Sequence, residues 1–187
     1  KIRICLGLSG TWQVENALCA LKTLEILSGT YPAITQEAVL AGLGTVRWPG
    51  RMEKIASEPD FFLDGAHNED AVRMLRNTLD LIFPDRKIVY IMGVLADKEY
   101  DRMIRIMFRE GDHVFTVTPP NPRALSAKLL VRQMEKQGIR GTACDGSGEA
   151  VSRALEEVGP EDVILAFGSL SYLGEIRSIM TNRKDNS

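Results

Sequence analysis

Strand-like and helical segments alternate along this chain from about residue 60 onwards, and no other feature of the sequence constrains the fold as strongly. Short apolar runs suited to buried strands are separated by segments whose apolar residues recur at helical spacing. Strands that alternate with helices of this length indicate βαβ units. The sequence therefore predicts an α/β fold, with a mostly parallel sheet covered by helices on both faces.

The individual elements can be predicted from the same pattern. Strands are expected near residues 61–63, 87–94, 113–118, 139–143 and 162–167, and helices near 68–83, 100–108, 126–137, 149–158 and 170–180. Asn68 is placed to cap the first of these helices. The polar tail from Thr181 onwards is expected to fray.

The first part of the chain has a different pattern. A strand-like run over residues 2–8 precedes a predicted helix over 14–27 and a shorter helix after Thr35. Residues 48–50, Trp-Pro-Gly, break the pattern, and we place the domain linker there. The segment 1–47 is too short for a domain and lacks an initial Met, so we expect the tail of an upstream domain and a piece of a longer protein.

Composition excludes several classes of function. The chain has 44% hydrophobic and 26% charged residues and a net charge of -2, with no basic stripe suited to nucleic acid. No apolar run reaches the roughly 18 residues of a membrane span, and no signal peptide is visible. The three cysteines form no CxxC or Cys/His cluster, which fits a reducing cytoplasm and predicts no metal site.

The most informative motif is Leu63-Asp64-Gly65-Ala66-His67-Asn68. The motif places an acid, a glycine and a histidine at the end of a predicted strand, directly before a predicted helix. In open α/β sheets ligands bind at that edge, and helix N-termini attract anions. A tight turn, with Asn68 as a cap and His67 merely exposed, explains the same residues equally well.

Two weaker motifs have simpler explanations that the residues alone favour. Arg51, after the Trp48-Pro49-Gly50 bend, has a guanidinium suited to bidentate contact with phosphate or carboxylate, although a hinge with a solvated arginine is the simpler interpretation. Ser169, in Gly168-Ser169-Leu170 at another strand end, is explained as a helix cap. His113 is explained as a structural histidine.

Taken together, these stretches resemble the folylpolyglutamate and dihydrofolate synthases of the Mur ligase superfamily. The resemblance spans nearly the whole chain. It is carried by Gln13-Val14-Glu15-Asn16-Ala17, Trp48-Pro49-Gly50-Arg51-Met52-Glu53, the Leu63–Asn68 motif, Met92-Gly93-Val94 through Asp97-Lys98, and Gly168-Ser169-Leu170. The Trp48–Glu53 and Leu63–Asn68 stretches, at this spacing, are together specific for the family.

The resemblance implies a particular enzyme and domain arrangement. Residues 1–47 would be the remnant of a central ATPase domain, and 48–187 a Rossmann-like carboxyl-terminal domain. The implied reaction uses ATP and magnesium to join L-glutamate to a reduced folate, or to dihydropteroate, through an acyl phosphate. The phosphate-binding loop and the magnesium ligands would lie in a missing N-terminal domain, so the chain alone is expected to be inactive.

The resemblance also implies roles for individual residues. Asn16 would lie near the adenine of ATP, Arg51 would reach its phosphates, and Asp64 would bind the ribose hydroxyls. His67 and Ser169 would contact the incoming glutamate. No catalytic residue is assigned within this chain.

Two alternatives stay open at this point. One is the carboxyl-terminal domain of another Mur-type amino-acid ligase, such as one acting on cell-wall precursors. The other is a non-catalytic nucleotide-binding or interaction module, which would require residues 1–45 to be self-sufficient.

Overall fold

The computed structural model describes residues 3–185, which form seven helices and six strands. The chain divides after Glu53 into two compact units. The first unit contains two helices, and the second contains the sheet with the other five helices. No helix within the described range is long and apolar enough to cross a membrane.

The first unit contains α1, Thr11–Ser28, and α2, Gln36–Thr45, which confirms both predicted helices. Thr35 caps α2 by accepting the backbone N–H of Ala38 at 3.2 Å. The strand predicted over residues 2–8 is wrong for residues 3–8, which form no strand, and Ile2 lies outside the described residues. A strand requires a neighbouring strand to pair its N–H and C=O groups, and this segment has helices as neighbours.

The sheet has six strands in the order β1-β2-β6-β3-β4-β5. Their bounds are β1 Glu53–Ser57, β2 Asp60–Leu63, β3 Ile88–Met92, β4 His113–Thr116, β5 Arg140–Ala143 and β6 Val163–Phe167. Strands β2, β6, β3, β4 and β5 pair in parallel, which confirms the predicted parallel sheet. Strand β1 was not predicted, because an edge strand does not need the continuous apolar run of a buried one.

Five helices flank this sheet. They are α3 Glu69–Ile82, α4 Tyr100–Met107, α5 Ala127–Glu135, α6 Ser147–Glu157 and α7 Leu170–Asp185. The predicted cap is confirmed, since Asn68 Oδ1 accepts the N–H of Ala71 at 2.9 Å. The predicted end of the last helix at Met180 is wrong, because α7 continues to Asp185 and Arg183 donates to Ser152 Oγ on α6 at 2.5 Å.

The sheet is buried on both faces. On one face, alternate residues of the strands pack against α6 and α7. On the other face, Tyr90 of β3 and Phe167 of β6 pack around Phe108, directly after α4, with ring centroids 5.0 to 6.5 Å apart. Burial of both faces explains why the central strands have apolar residues at every position.

Strand order determines where a crevice forms. Strands β2 and β3 connect to α3 and α4, which lie on the same face of the sheet. Strand β6 lies between β2 and β3 but connects to α7, on the opposite face. Adjacent strands whose connections run to opposite faces leave a crevice outside their carboxyl ends, where open α/β sheets bind ligands. We call this edge of the sheet, where the strands end, the carboxyl edge.

The core on the α3 face supports a direct test with two leucines of one helix. Leu75 is completely buried, whereas Leu81 is 71% exposed. We expect Leu75→Ala to lower the free energy of unfolding by about 2–5 kcal/mol, because it leaves a cavity. Leu81→Ala should change it by about 0.5 kcal/mol or less. Urea unfolding followed by circular dichroism measures both, and equal losses would contradict the packing described here.

Candidate functional site

Asp64 directly follows β2 and is almost completely buried, with 2% of its surface exposed. Its backbone N–H donates to the carbonyl of Ala166 in β6 at 2.9 Å, which extends the pairing of the two strands by one residue. Its carboxylate Oδ1 accepts the N–H of Ala66 at 2.8 Å. Asp64 therefore shapes the turn and places a buried carboxyl group at the carboxyl edge.

The turn after Asp64 leads directly into α3. His67 is half-buried, and its Nδ1 lies 2.8 Å from the carbonyl oxygen of Gly65. Because a carbonyl only accepts, Nδ1 carries the proton, and Nε2 of the neutral ring is then an acceptor. The N-terminus of α3 begins beside it, so the turn combines a positive helix end with an oriented imidazole.

The loops after β3 and β6 cross at two glycines. A Cβ on Gly168 would lie 2.5 Å from the carbonyl oxygen of Gly93, and Gly168 has a φ of +110°, which disfavours other residues. A Cβ on Gly93 would lie 2.9 Å from Val117 and 3.0 Å from Pro119. Glycine is therefore required where the two backbones meet at the carboxyl edge.

Ser169 follows Gly168 and is buried at the start of α7. Its Oγ lies 2.8 Å from the Ser171 hydroxyl and accepts the Ser171 N–H at 3.4 Å. This contact is the cap that the residues alone favoured. Ser169 also lies at a helix N-terminus, where the free N–H groups favour an anionic ligand group.

The loops after β3 and β4 are joined to each other. The backbone N–H of Ala96 donates to the carbonyl of Arg123 at 2.7 Å, and the Arg123 guanidinium pairs with Asp97 at 2.8 Å. Residues 94–97 and 123–125 therefore form a connected rim at the carboxyl edge. The helix predicted near residues 100–108 follows this rim and is confirmed, since α4 begins at Tyr100.

Arg51 belongs to the first unit, in a segment without helix or strand. Gly50 has a φ of +71° and Met52 a φ of +42°, and Glu53 accepts the N–H of Gly50 at 2.7 Å. Arg51 is half-buried, and within residues 3–53 no carboxylate lies at salt-bridge distance from it.

Asn16 lies on α1, also in the first unit, and is exposed. Its side-chain nitrogen donates to Gln13 Oε1 at 3.1 Å, and Gln13 is buried. The amide orientation of Asn16 is therefore fixed by its neighbour one helical turn away.

Other chemically notable groups have structural partners. His113 is buried, with Nδ1 2.5 Å from Glu157 and Nε2 2.9 Å from Thr142, in agreement with the structural role expected. Burial raises the pKa of the Cys144 thiol to about 11, so it is unreactive at neutral pH. Within residues 3–185, no group of three or more His, Cys, Asp or Glu side chains is placed to hold a metal ion.

The structure groups the predicted site residues in two sets. Asp64, His67 and Ser169 lie at the carboxyl edge of one sheet, whereas Asn16 and Arg51 belong to the first unit. Sequence reasoning assigned no role to Tyr172, whose hydroxyl lies at the same edge. Tyr172 lies with Leu173 in the apolar stripe of α7, and this pattern indicates from sequence that its ring is buried. The pattern does not show which groups its hydroxyl contacts.

A parallel sheet flanked on both faces, with polar turns at its carboxyl edge, defines a Rossmann-like α/β domain. The family described as Mur ligase, glutamate ligase domain matches residues 50–170. The chain belongs to this Mur ligase family, because the match covers well over half of its length.

Individual relatives confirm the resemblance to folylpolyglutamate and dihydrofolate synthases. The dihydrofolate synthase/folylpolyglutamate synthase of Bacillus subtilis is 32% identical over 91% of this chain and 40% of that protein. The folylpolyglutamate synthase of Lacticaseibacillus casei is 31% identical over 95% of this chain and 40% of its own length. The chain therefore spans about two fifths of the length of these relatives.

A solved structure shares the fold over most of the chain. Mycobacterium tuberculosis folylpolyglutamate synthase complexed with ADP superposes with a TM-score of 0.78 and 27% identity. The superposition covers 94% of this chain and 41% of that one. The predicted α/β fold is confirmed by this similarity.

The close approach of Gly168 to Gly93 can be tested by comparing alanine substitutions at Gly168 and Gly174. We expect Gly168→Ala to lower the free energy of unfolding by at least about 2 kcal/mol, because of its positive φ and the contact with Gly93. Gly174→Ala is the matched control, since an added Cβ meets no atom within 4 Å. It should stabilise α7 by up to about 1 kcal/mol. Denaturant unfolding of both variants measures the difference, and a neutral Gly168→Ala would refute the close approach.

Proposed function

We propose that this chain is the carboxyl-terminal part of an ATP-dependent ligase that adds L-glutamate to reduced folates, to dihydropteroate, or to both. The observation that carries the proposal is the 32% identity to a dihydrofolate synthase/folylpolyglutamate synthase over 91% of the chain. In this proposal, residues 1–47 are the remnant of a central ATPase domain and 48–187 are the carboxyl-terminal domain. We place the enzyme in the cytoplasm, where the exposed thiols of Cys5 and Cys19 would stay reduced.

The proposed chemistry forms an amide in two steps. The γ-phosphoryl group of ATP passes to the acceptor's carboxylate, which gives an acyl phosphate and ADP. The amine of glutamate then attacks the acyl carbon, and the tetrahedral intermediate releases inorganic phosphate. Both steps build negative charge that positioned donors must stabilise while water is excluded.

Asp64 is proposed to bind the ribose hydroxyls of ATP. A carboxylate is an acceptor that two hydroxyl donors can share, and Asp64 lies beside the crevice between β2 and β6. Because Asp64 is 2% exposed, this contact requires its carboxylate to become accessible from the crevice when the nucleotide binds. The bond to Ala66 keeps the carboxylate in one orientation for this contact.

Asn16 and Arg51, which both belong to the first unit, are proposed to contact ATP. The Arg51 guanidinium provides planar, bidentate donors suited to phosphate oxygens. The amide of Asn16 provides both a donor and an acceptor, which is what an adenine edge requires.

His67 and Ser169 are proposed to contact the incoming glutamate. Each lies beside a helix N-terminus, of α3 and α7 respectively, whose positive potential favours the carboxylates of glutamate. With Nδ1 directed at the Gly65 carbonyl, Nε2 is the ring nitrogen of His67 that is left to contact the amino group of glutamate. We assign no magnesium ligand to this chain, and the metal that the reaction requires would be held by residues outside it.

The proposal is tested in the full-length protein with ATP, magnesium, glutamate and either tetrahydrofolate or dihydropteroate. We expect a mass increase of one glutamyl unit on at least one acceptor. Asp64→Asn retains an oxygen for the Ala66 N–H but removes the charge, so it should raise the KM for ATP about tenfold or more with little loss of stability. Arg51→Ala should also raise the KM for ATP about tenfold.

Arg140→Ala, on the exposed first residue of β5, is the matched control and should leave the kinetics unchanged. No glutamyl addition to either acceptor would refute the folate assignment and favour another Mur-type substrate. Normal kinetics in Asp64→Asn and Arg51→Ala would refute the assigned ATP contacts while leaving the reaction intact.

The isolated chain supports a separate prediction. We expect the 187-residue chain alone to show no glutamyl addition, because its residues offer no phosphate-binding loop of the GxxxxGK[ST] type. The measurement is the same mass assay, run at equal concentrations of the chain and the full-length protein. Turnover by the chain alone would contradict the division of the site between two domains.

A further inference from the structure

Tyr172 places its hydroxyl between the ends of two strands. The side chain comes from α7 and is completely buried. Its Oη lies 2.5 Å from the carbonyl oxygen of Phe167 in β6 and 3.2 Å from that of Ile91 in β3. It also accepts the backbone N–H of Gly93 at 3.2 Å. One hydroxyl therefore contacts both central strands at the carboxyl edge.

These contacts replace backbone pairing where the strands separate. Met92 and Phe167 are the last partners in the β3–β6 ladder. After Met92 the chain turns to one face of the sheet, and after Phe167 it turns to the other. The Gly93 N–H reaches the Phe167 carbonyl only at 3.4 Å, a weak bond. The Tyr172 hydroxyl supplies a nearer acceptor to that N–H and a donor to the carbonyl, so buried groups at the strand ends stay paired.

The same place is sterically constrained by the two glycines. Gly168 approaches the Gly93 carbonyl closely enough to exclude a Cβ, and Ser169 is the next residue. A shift of one strand end relative to the other would therefore displace the Gly168–Ser169 turn. The hydroxyl and the glycine contact together determine the position of Ser169 and of the α7 N-terminus.

We propose that Tyr172 is a positioning residue for the glutamate-binding side of the site, acting through the crossing of Gly93 and Gly168. This inference rests on the proposed ligase function. Tyr172 would not touch substrate. Its effect would fall on the group that follows β6, which is Ser169, and not on Asp64, which follows β2.

Tyr90 offers a matched control in the same fold. It is also a buried tyrosine, with 1% exposure, and burial raises its pKa to about 12. Its hydroxyl accepts Arg76 Nη1 at 3.0 Å, on the α3 side of the sheet and away from the glycine crossing. Tyr90→Phe and Tyr172→Phe thus each remove one buried hydroxyl and leave the ring in place.

The experiment compares both variants with the wild type in the full-length protein. We expect Tyr172→Phe to raise the KM for glutamate about five- to tenfold, while the KM for ATP stays within about twofold. Tyr90→Phe should leave both constants within about twofold. Hydrogen exchange should accelerate at Gly93 and at residues 168–171 in Tyr172→Phe only, which reports the local loosening without relying on activity.

The outcomes separate this inference from the proposed function. Equal KM values for glutamate in the two variants, with an active wild type, would overturn the positioning role and leave the ligase assignment intact. Unchanged exchange at Gly93 and residues 168–171 in Tyr172→Phe would overturn it as well. A wild type that adds no glutamate to either acceptor would overturn the ligase assignment, and the positioning role with it.

Discussion

The insertion of β6 between β2 and β3 is the constraint on which the rest of the second unit depends. This strand pairs in parallel on both sides, and every residue in it is buried. It is also the last strand in the sequence, so the middle of the sheet is completed only when residues 163–167 return to it. Such non-local pairing carries a high entropic cost before it is stabilised. The continuous apolar run from Val163 to Phe167 supplies the burial that offsets this cost.

The same insertion creates the crevice that holds the candidate site. Because β6 sends its connection to the face opposite to those of β2 and β3, the turns after these strands diverge and leave a crevice between them. Asp64 and Ser169 occupy the two sides of that crevice. The backbone supplies much of the local polarity through the N-termini of α3 and α7. A site built this way depends on the positions of strand ends more than on any single side chain.

The sequence was sufficient for features that depend on local pattern. Buried strands show as apolar runs, and Asn68 is recognisable as a cap because its position before an amphipathic helix has a local physical reason. Prediction failed where the outcome depended on distant partners. Residues 3–8 have strand-like composition but no strand to pair with, and α7 extends past Met180, where Arg183 bonds to Ser152 on another helix. Strand β1 was missed because edge strands tolerate charged residues such as Glu53 and Lys54.

The predicted site residues show the same division. Asp64, His67 and Ser169 could be chosen from sequence, since each lies between a strand end and a helix start. The contacts of Tyr172 could not, because they depend on which strands become neighbours.

A different signal marks the segment that contains Arg51. Met52 has a positive φ of 42°, two residues after Gly50 with a φ of 71°, and Glu53 accepts the Gly50 N–H. A non-glycine residue in this region costs about 1–3 kcal/mol and persists only when its surroundings impose it. Met52 is only 3% exposed, so its burial and the hydrogen bond between Glu53 and Gly50 are the surroundings that hold this turn directly before β1.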